Sequence, residues 1–296
     1  MNYFLRYIFT ILTLCLVLLF SGCAKTSINE IPSYIAIDSL SLNVSDIQGS
    51  ASHKITDTWI YADNDLIGAF AFPFPLKRIP LLKSGSCQLS IFAGIKLNGI
   101  NETRTPYPFY QPLNKTVTLE REKVLDLGEM KFSYVTGTKF AWIENFEKAN
   151  LSIDSTARSE VNLVRTLLPE LATVFPNEVN KYAAKVVIPN DSLVFECCSH
   201  DSFKLPTTGS SVFLELNYKT NNKFTVGFFI NGAVTSQRPI LVVNPSLTWN
   251  KIYINLTPTL SANSDATSFR VFFSAVKSTS DPEAEIYFDN IKLLHF

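Results

Sequence analysis

Apolar and polar residues alternate in short runs along most of this chain, at the two-residue period that places every second side chain on one face of a strand. The second half shows it best. Val212, Leu214, Leu216 and Tyr218 alternate, Asn221-Asn222 supplies a turn, and Phe224, Val226, Phe228 and Ile230 resume the period. Asn231-Gly232 follows, a dipeptide suited to the positive φ angles of a tight hairpin. Ile252, Ile254 and Leu256, then Phe269, Val271 and Phe273, then residues 285–293, predict further strands. In the first half, Ile55, Trp59 and Tyr61 lean to one face of a run that the turn cluster Asp63-Asn64-Asp65 interrupts. Leu66, Gly68 and Phe70 continue it, and Leu89, Ile91 and Ala93, then Val117 and Leu119, add strands. One segment reads differently: Val161, Val164, Leu167 and Leu168 share one side of a helix predicted over residues 157–168, with Pro169 ending it. The expected fold is all-β, with two antiparallel β-sandwich domains spanning residues 34–137 and 138–296 and one short helix in the second.

Ahead of the strands, Arg6 precedes an almost unbroken apolar run over residues 8–20, and the small residues Ser21-Gly22 then precede Cys23. This is the layout of a secretory signal. The run is shorter than the ~20 residues a helix needs to cross a bilayer. The ending Phe20-Ser21-Gly22-Cys23 resembles a bacterial lipobox, with Phe20 where leucine is usual. That resemblance implies cleavage after residue 22, lipid modification of Cys23 and a lipidated tether over residues 23–33. An ordinary signal peptide and a single membrane anchor are the alternatives. Ala24, rather than aspartate, follows the cysteine, and Ala24-Lys25-Thr26-Ser27 contains no acidic run. Those residues imply a lipid anchor in the outer membrane, on its periplasmic face rather than the cell surface.

Composition narrows the function classes. Loss of residues 1–22 removes Arg6 alone from the charged set, so the remaining chain is close to neutral. It offers no electrostatic reason to expect nucleic acid. Phe (23) and Tyr (11) are abundant while charged residues make up 18%, which favours strands and buried rings. Of the cysteines beyond Cys23, Cys87, Cys197 and Cys198 remain, allowing at most one bridge; buried free thiols are the preferred reading.

The block from Trp59 to Gly68, with residues 80–85 and Leu89-Ser90-Ile91-Phe92-Ala93-Gly94, resembles the PEGA-like surface modules, with Asn64-Asp65 where a turn glycine is usual. Ser52-His53-Lys54-Ile55-Thr56-Asp57 and Tyr107-Pro108-Phe109-Tyr110 also resemble segments of uncharacterised Bacteroidota lipoproteins. In the second half, Phe146-Glu147 and Phe288-Asp289-Asn290-Ile291 resemble the two ends of jelly-roll carbohydrate-binding modules, which implies a jelly-roll-like second sandwich. Asp38-Ser39-Leu40, Asp154-Ser155-Thr156 and Asp191-Ser192-Leu193 are similar to the O-glycosylation tripeptides of exported Bacteroidota proteins.

Candidate chemistry is sparse. The jelly-roll resemblance brings the first and last strands together, so Glu147 and Asp289 are candidate ligands of a structural calcium, although two carboxylates fall short of its 6–8 oxygens. No other cofactor is expected. Only His53, His200 and His295 are available as general bases, and no nucleophile motif accompanies them. The run Glu196-Cys197-Cys198-Ser199-His200-Asp201 fits no zinc spacing and reads as a loop with packed thiols. Trp249, Tyr253 and Tyr218 form either a glycan platform or cross-strand packing. Tyr107, Phe109 and Tyr110 form a docking patch for a protein partner if exposed, and a plug over the first sandwich if buried. The leading expectation is a non-catalytic scaffolding lipoprotein with a protein partner in the outer membrane. The alternative is a glycan-binding lipoprotein.

Overall fold

The computed structural model describes residues 31–73, 78–168, 180–280 and 282–296. The segment read from the sequence as a signal lies outside the described residues, as does Cys23.

The second half is a sandwich of two antiparallel sheets. A six-stranded sheet runs in the order Val164–Leu167, Tyr182–Ile188, Ala284–His295, Val212–Thr220 and Ser246–Asn255, with Lys139–Glu144 also pairing to Ala284–His295. Facing it, a five-stranded sheet runs Ile153–Ser155, Val194–Ser199, Phe269–Val276, Phe224–Ile230 and Ala233–Val243. The alternating residues converge between the sheets as expected: Leu214, Leu216, Val226, Phe228, Val271, Phe273 and Ile286 share one buried core. At the hairpin between Phe224–Ile230 and Ala233–Val243, Asn231 and Gly232 adopt φ angles of 53° and 71°, which suits their tolerance of the left-handed region.

The short helix is displaced from its predicted place. Among the described residues it is Thr257–Ser261, opened by Pro258 and seated on buried Leu260. Residues 157–168 instead make turns and the Val164–Leu167 strand, which pairs antiparallel with Tyr182–Ile188. The stripe that reads as helical does not enter the core together: Val161 packs against it, whereas Val164 and Leu167 are 51% and 53% exposed. A helix this short is marginal alone, whereas the edge of Tyr182–Ile188 offers unpaired backbone groups.

In the first half, Gly85–Lys96 is central, pairing with Asp57–Ala62, Arg104–Pro106 and Leu113–Leu119, while Asp65–Ala71 extends the sheet beyond Asp57–Ala62. The core side of Asp57–Ala62 carries Thr58, Ile60 and Ala62, and Trp59 and Tyr61 occupy the other face. Asp63 and Asn64 take positive φ angles of 51° and 71°, so a two-residue turn closes without glycine. Two smaller sheets depart from the antiparallel expectation. Ser33–Ala36 runs parallel to Val124–Asp126, and Ser39–Asn43 runs parallel to Glu129–Ser133.

The two halves are not separately packed. The core of the first half includes Phe213, Tyr253 and Leu294, all from the outer face of the six-stranded sheet. That face is therefore roofed by the first half rather than by water.

A polar cleft where the two halves meet

The floor of the site is set by strand register. In Val212–Thr220, residues 213, 215 and 217 point away from the sandwich core. Pairing places Phe213 opposite Leu294, and Glu215 opposite Tyr253 on one side and Lys292 on the other. Asn217 is opposite Lys251. Glu215 is wholly buried at the centre of this face. Its Oε1 accepts hydrogen bonds from the hydroxyls of Tyr107 (3.0 Å) and Tyr134 (2.9 Å), and its Oε2 lies 2.8 Å from Lys251 Nζ. Lys292 Nζ donates to the Ser50 carbonyl (2.5 Å) and the Tyr134 hydroxyl (3.2 Å). The hydroxyls of Tyr110 and Tyr253 meet at 3.2 Å, and the Lys54 backbone N–H donates to Tyr253 Oη at 2.9 Å.

An unpaired buried charge costs several kcal/mol, on the order of 3–5 when one partner of a pair is removed. Here the buried charges are paired, Glu215 Oε2 with Lys251 Nζ as an ion pair and Glu215 Oε1 with the two phenols. Burial pushes the Glu215 carboxyl up, but Lys251, Lys292 and the hydrogen bonds from Lys251 and Tyr134 outweigh it and hold the group below its ordinary range. Burial first, and the Glu215 charge second, push Tyr107, Tyr110 and Tyr134 well above the ordinary phenol value, so they remain neutral donors. At the margin, His53 Nδ1 is buried without a hydrogen-bond partner among the described residues. Burial, then the Lys251 charge, lower its pKa against the opposing pull of Glu215.

Beside this floor opens a cleft of about 480 Å³ with walls from both halves. The turn after Gly85–Lys96 reaches across to form one wall. Asn98, at φ 54°, donates its backbone N–H to the Tyr253 carbonyl (2.9 Å), and its Oδ1 accepts from the Asn255 N–H (2.8 Å). The next residue must be glycine, because Gly99 sits at φ 72° and a Cβ there would come within 3.1 Å of Ile252. This turn supplies Lys96, Asn98 and Asn101, the lead-in to Asp57–Ala62 supplies Lys54, and the second half supplies Asn244 and Asn250. Lys54 Nζ donates to Asn250 Oδ1, and Asn250 Nδ2 donates to the Tyr218 hydroxyl at 3.0 Å. Lys96 Nζ donates to Asn101 Oδ1 at 2.7 Å. Burial, then the charge of Lys96, lower the pKa of Lys54.

No family model matches this chain, and no curated protein matches it. Solved structures similar to it include TmCBM61 in complex with β-1,4-galactotriose, at 12% identity and a TM-score of 0.35, covering 53% of this chain and 99% of that one. Another is the family 11 carbohydrate-binding module of the cellulase Lic26A-Cel5E of Clostridium thermocellum, at 12% identity and TM-score 0.36, covering 55% and 96% respectively. A third is the K2 cleaved adhesin domain of Lys-gingipain, at 10% identity and TM-score 0.36, covering 54% and 98%. At these scores the likeness carries no inference about a ligand of this chain.

The residues singled out from sequence are placed as follows. Tyr107, Phe109 and Tyr110 are buried, at 2%, 0% and 3% exposure, so they form the plug and not a docking patch. The ring of Tyr107 lies edge-on to Tyr110 at 4.7 Å, to Tyr253 at 4.8 Å and to Phe213 at 5.4 Å. Tyr218 and Tyr253 line the cleft, but their rings are buried and offer no open face for a sugar to stack on. Trp249, half-buried, packs against Tyr287 at 6.2 Å and is absent from the cleft lining. Of the two readings of these rings, their burial and ring contacts correspond to packing.

Glu147 and Asp289 are spent on N–H donors. Glu147 Oε1 accepts from the backbone of Lys181 (2.7 Å) and Tyr182 (2.9 Å). Asp289 accepts from the Asn290 N–H (2.7 Å) and Asn180 Nδ2 (3.2 Å) at a strand irregularity where Asn290 takes φ 50°. The carbonyls of Phe146 and Glu147, which could also face a cation, accept from Arg165. The candidate calcium ligands named from the sequence thus each accept hydrogen bonds from within the chain. The thiol run is a strand, Val194–Ser199, rather than a loop. Cys197 enters the sandwich core while Cys198 packs on the other face with Phe229 and Phe272. Cys87, Cys197 and Cys198 are all free and buried, and burial raises all three thiols.

Sequence reasoning missed the cleft residues Lys54, Lys96, Asn98, Asn101 and Asn250, as well as Glu215, Lys251 and Lys292 beneath them. The available signal was weak. Glu215 lies between Leu214 and Leu216, where a charged residue reads as the solvent face of an amphipathic strand.

Proposed function

We propose that this chain is a non-catalytic glycan-binding lipoprotein whose ligand lies in the cleft between its two halves. The observation that carries this reading is the cleft's chemistry: asparagine amides and lysine ammonium groups line it from both halves, with Ile100 and Val242 exposed beside them. Sugar hydroxyls need directional donors and acceptors, which asparagine supplies together. The apolar side chains suit the C–H faces of a pyranose. Among the described residues no group of three or more His, Cys, Asp or Glu is placed to hold a metal ion. The anchor belongs to the same proposal: Cys23 carries the lipid, and the protein sits in the outer membrane on its periplasmic face. Several acyl chains, at about 0.8 kcal/mol per buried CH₂, hold such a protein without a spanning element.

Binding of the full chain to immobilised oligosaccharides tests the ligand reading. Asn98→Ala paired with Asn101→Ala is expected to weaken capture at least tenfold, and equal capture by that variant would place the ligand elsewhere. Radiolabelled palmitate should be incorporated by the wild type and lost in Cys23→Ala. A second reading, a scaffolding subunit, is favoured by the exposure of Ile100 and Val242 at the cleft mouth. Stoichiometric recovery of an outer-membrane protein with the detergent-extracted chain would support it.

A further inference from the structure

We infer that the cleft selects acidic glycans, with Lys54 and Lys96 together receiving one anionic group on a sugar ring. The inference rests on the glycan reading above and adds the class of ligand to it.

Some lysines of this chain sit against carboxylates: Lys83 with Asp63 and Asp65, Lys185 with Glu285, and Lys251, in the same cleft, with Glu215. Lys54 and Lys96 differ. Among the described residues neither forms an ion pair, and the one hydrogen bond of each ammonium goes to a neutral amide, Asn250 for Lys54 and Asn101 for Lys96. An ammonium has three N–H donors, so each lysine retains donors for a ligand. The direction of Lys54 is fixed from behind, because Asn250 is itself held by the Tyr218 hydroxyl.

The charge balance around them points the same way. Lys251 also lines the cleft but is neutralised by Glu215 from beneath. Glu102 is the only carboxylate among the described lining residues, so the two free ammonium groups leave the cleft positive in a chain whose formal net charge is zero. Both ammonium groups line the same cleft, and like charges sharing one cleft disfavour each other when it is empty. An anion between them removes that repulsion, and amides at its flanks meet the neighbouring hydroxyls. The shared chemistry is a carboxylate of a uronic acid or a sulfate ester.

The test is a glycan array carrying neutral, uronic-acid and sulfated oligosaccharides, probed with the full chain and with Lys54→Gln/Lys96→Gln. The expected result is capture of acidic glycans by the wild type, at least tenfold weaker in the double variant. Carboxylated hits against sulfated hits decide the source of the anion. Neutral glycans alone as hits would overturn the inference and leave the glycan reading standing, and an array with no hits would overturn both. Equal capture of acidic glycans by wild type and double variant would also overturn the inference. Salt supplies a control that needs no variant. Raising ionic strength from about 0.1 M to about 1 M shortens the screening length from roughly 10 Å to 3 Å, and should weaken acidic but not neutral capture; unchanged acidic capture would count against the two lysines.

Discussion

At Glu215 one carboxylate answers to two lysines and two phenols that come from both halves of the chain. Glu215→Ala removes the counter-charge of Lys251 and is expected to cost about 3–5 kcal/mol, read from urea denaturation of the full chain. Tyr134→Phe keeps the ring but loses a hydrogen bond to a charged group, with an expected cost of about 1.5–3 kcal/mol. The pH dependence follows from the lowered pKa of Glu215. A carboxyl held below its unfolded value contributes stability above the ordinary carboxylate range, and that contribution fades as pH falls through the unfolded and then the folded value. Wild type should therefore lose stability on acidification relative to Glu215→Gln, and parallel urea midpoints from neutral to strongly acid pH would contradict this. The three buried thiols, raised by their surroundings, should resist thiol reagents until the protein unfolds.

Among the elements, Val212–Thr220 shows what a strand's sequence can and cannot disclose. Its alternation is a local property, and Leu214 and Leu216 enter the sandwich core as the period requires. The Asn231-Gly232 hairpin was legible for the same reason, since its turn geometry depends on two residues alone. What covers the opposite face depends on a roof built from residues 50–134, and nothing within the strand records it. The misplaced helix has a related cause, because Val164–Leu167 is a strand by pairing with Tyr182–Ile188, a partner that its own periodicity does not disclose. The cleft was illegible on the same grounds: Lys54 and Asn250 meet only once both halves have docked. Packing within an element is also testable. A Cβ at Gly227 would approach Phe272 to 2.6 Å and press on the Arg238 carbonyl. Gly227→Ala should cost about 1–3 kcal/mol through overpacking, visible as a lowered thermal midpoint.

For the molecule as a whole, the shared interface makes a prediction about cooperativity. With Phe213, Tyr253 and Leu294 inside the core of the first half, the two halves should unfold together. Tryptophan fluorescence and far-UV circular dichroism should give coincident urea transitions, and two separated transitions would show that the halves are independent. Leu294→Ala should cost about 2–5 kcal/mol and speed amide exchange around Phe109, although the two residues belong to opposite halves. Phe296 reinforces that link by stacking on Phe109 at 4.6 Å. The order of synthesis then acquires a meaning. Strand Ala284–His295 lies between Tyr182–Ile188 and Val212–Thr220 in the six-stranded sheet, and its Leu294 closes a core begun at residue 35. The core of the first half draws most of its side chains from residues 35–134, yet it is complete only when residue 294 has been made. Strand Ala284–His295 thus serves two cores at once, and its removal would open both the sandwich and the core of the first half.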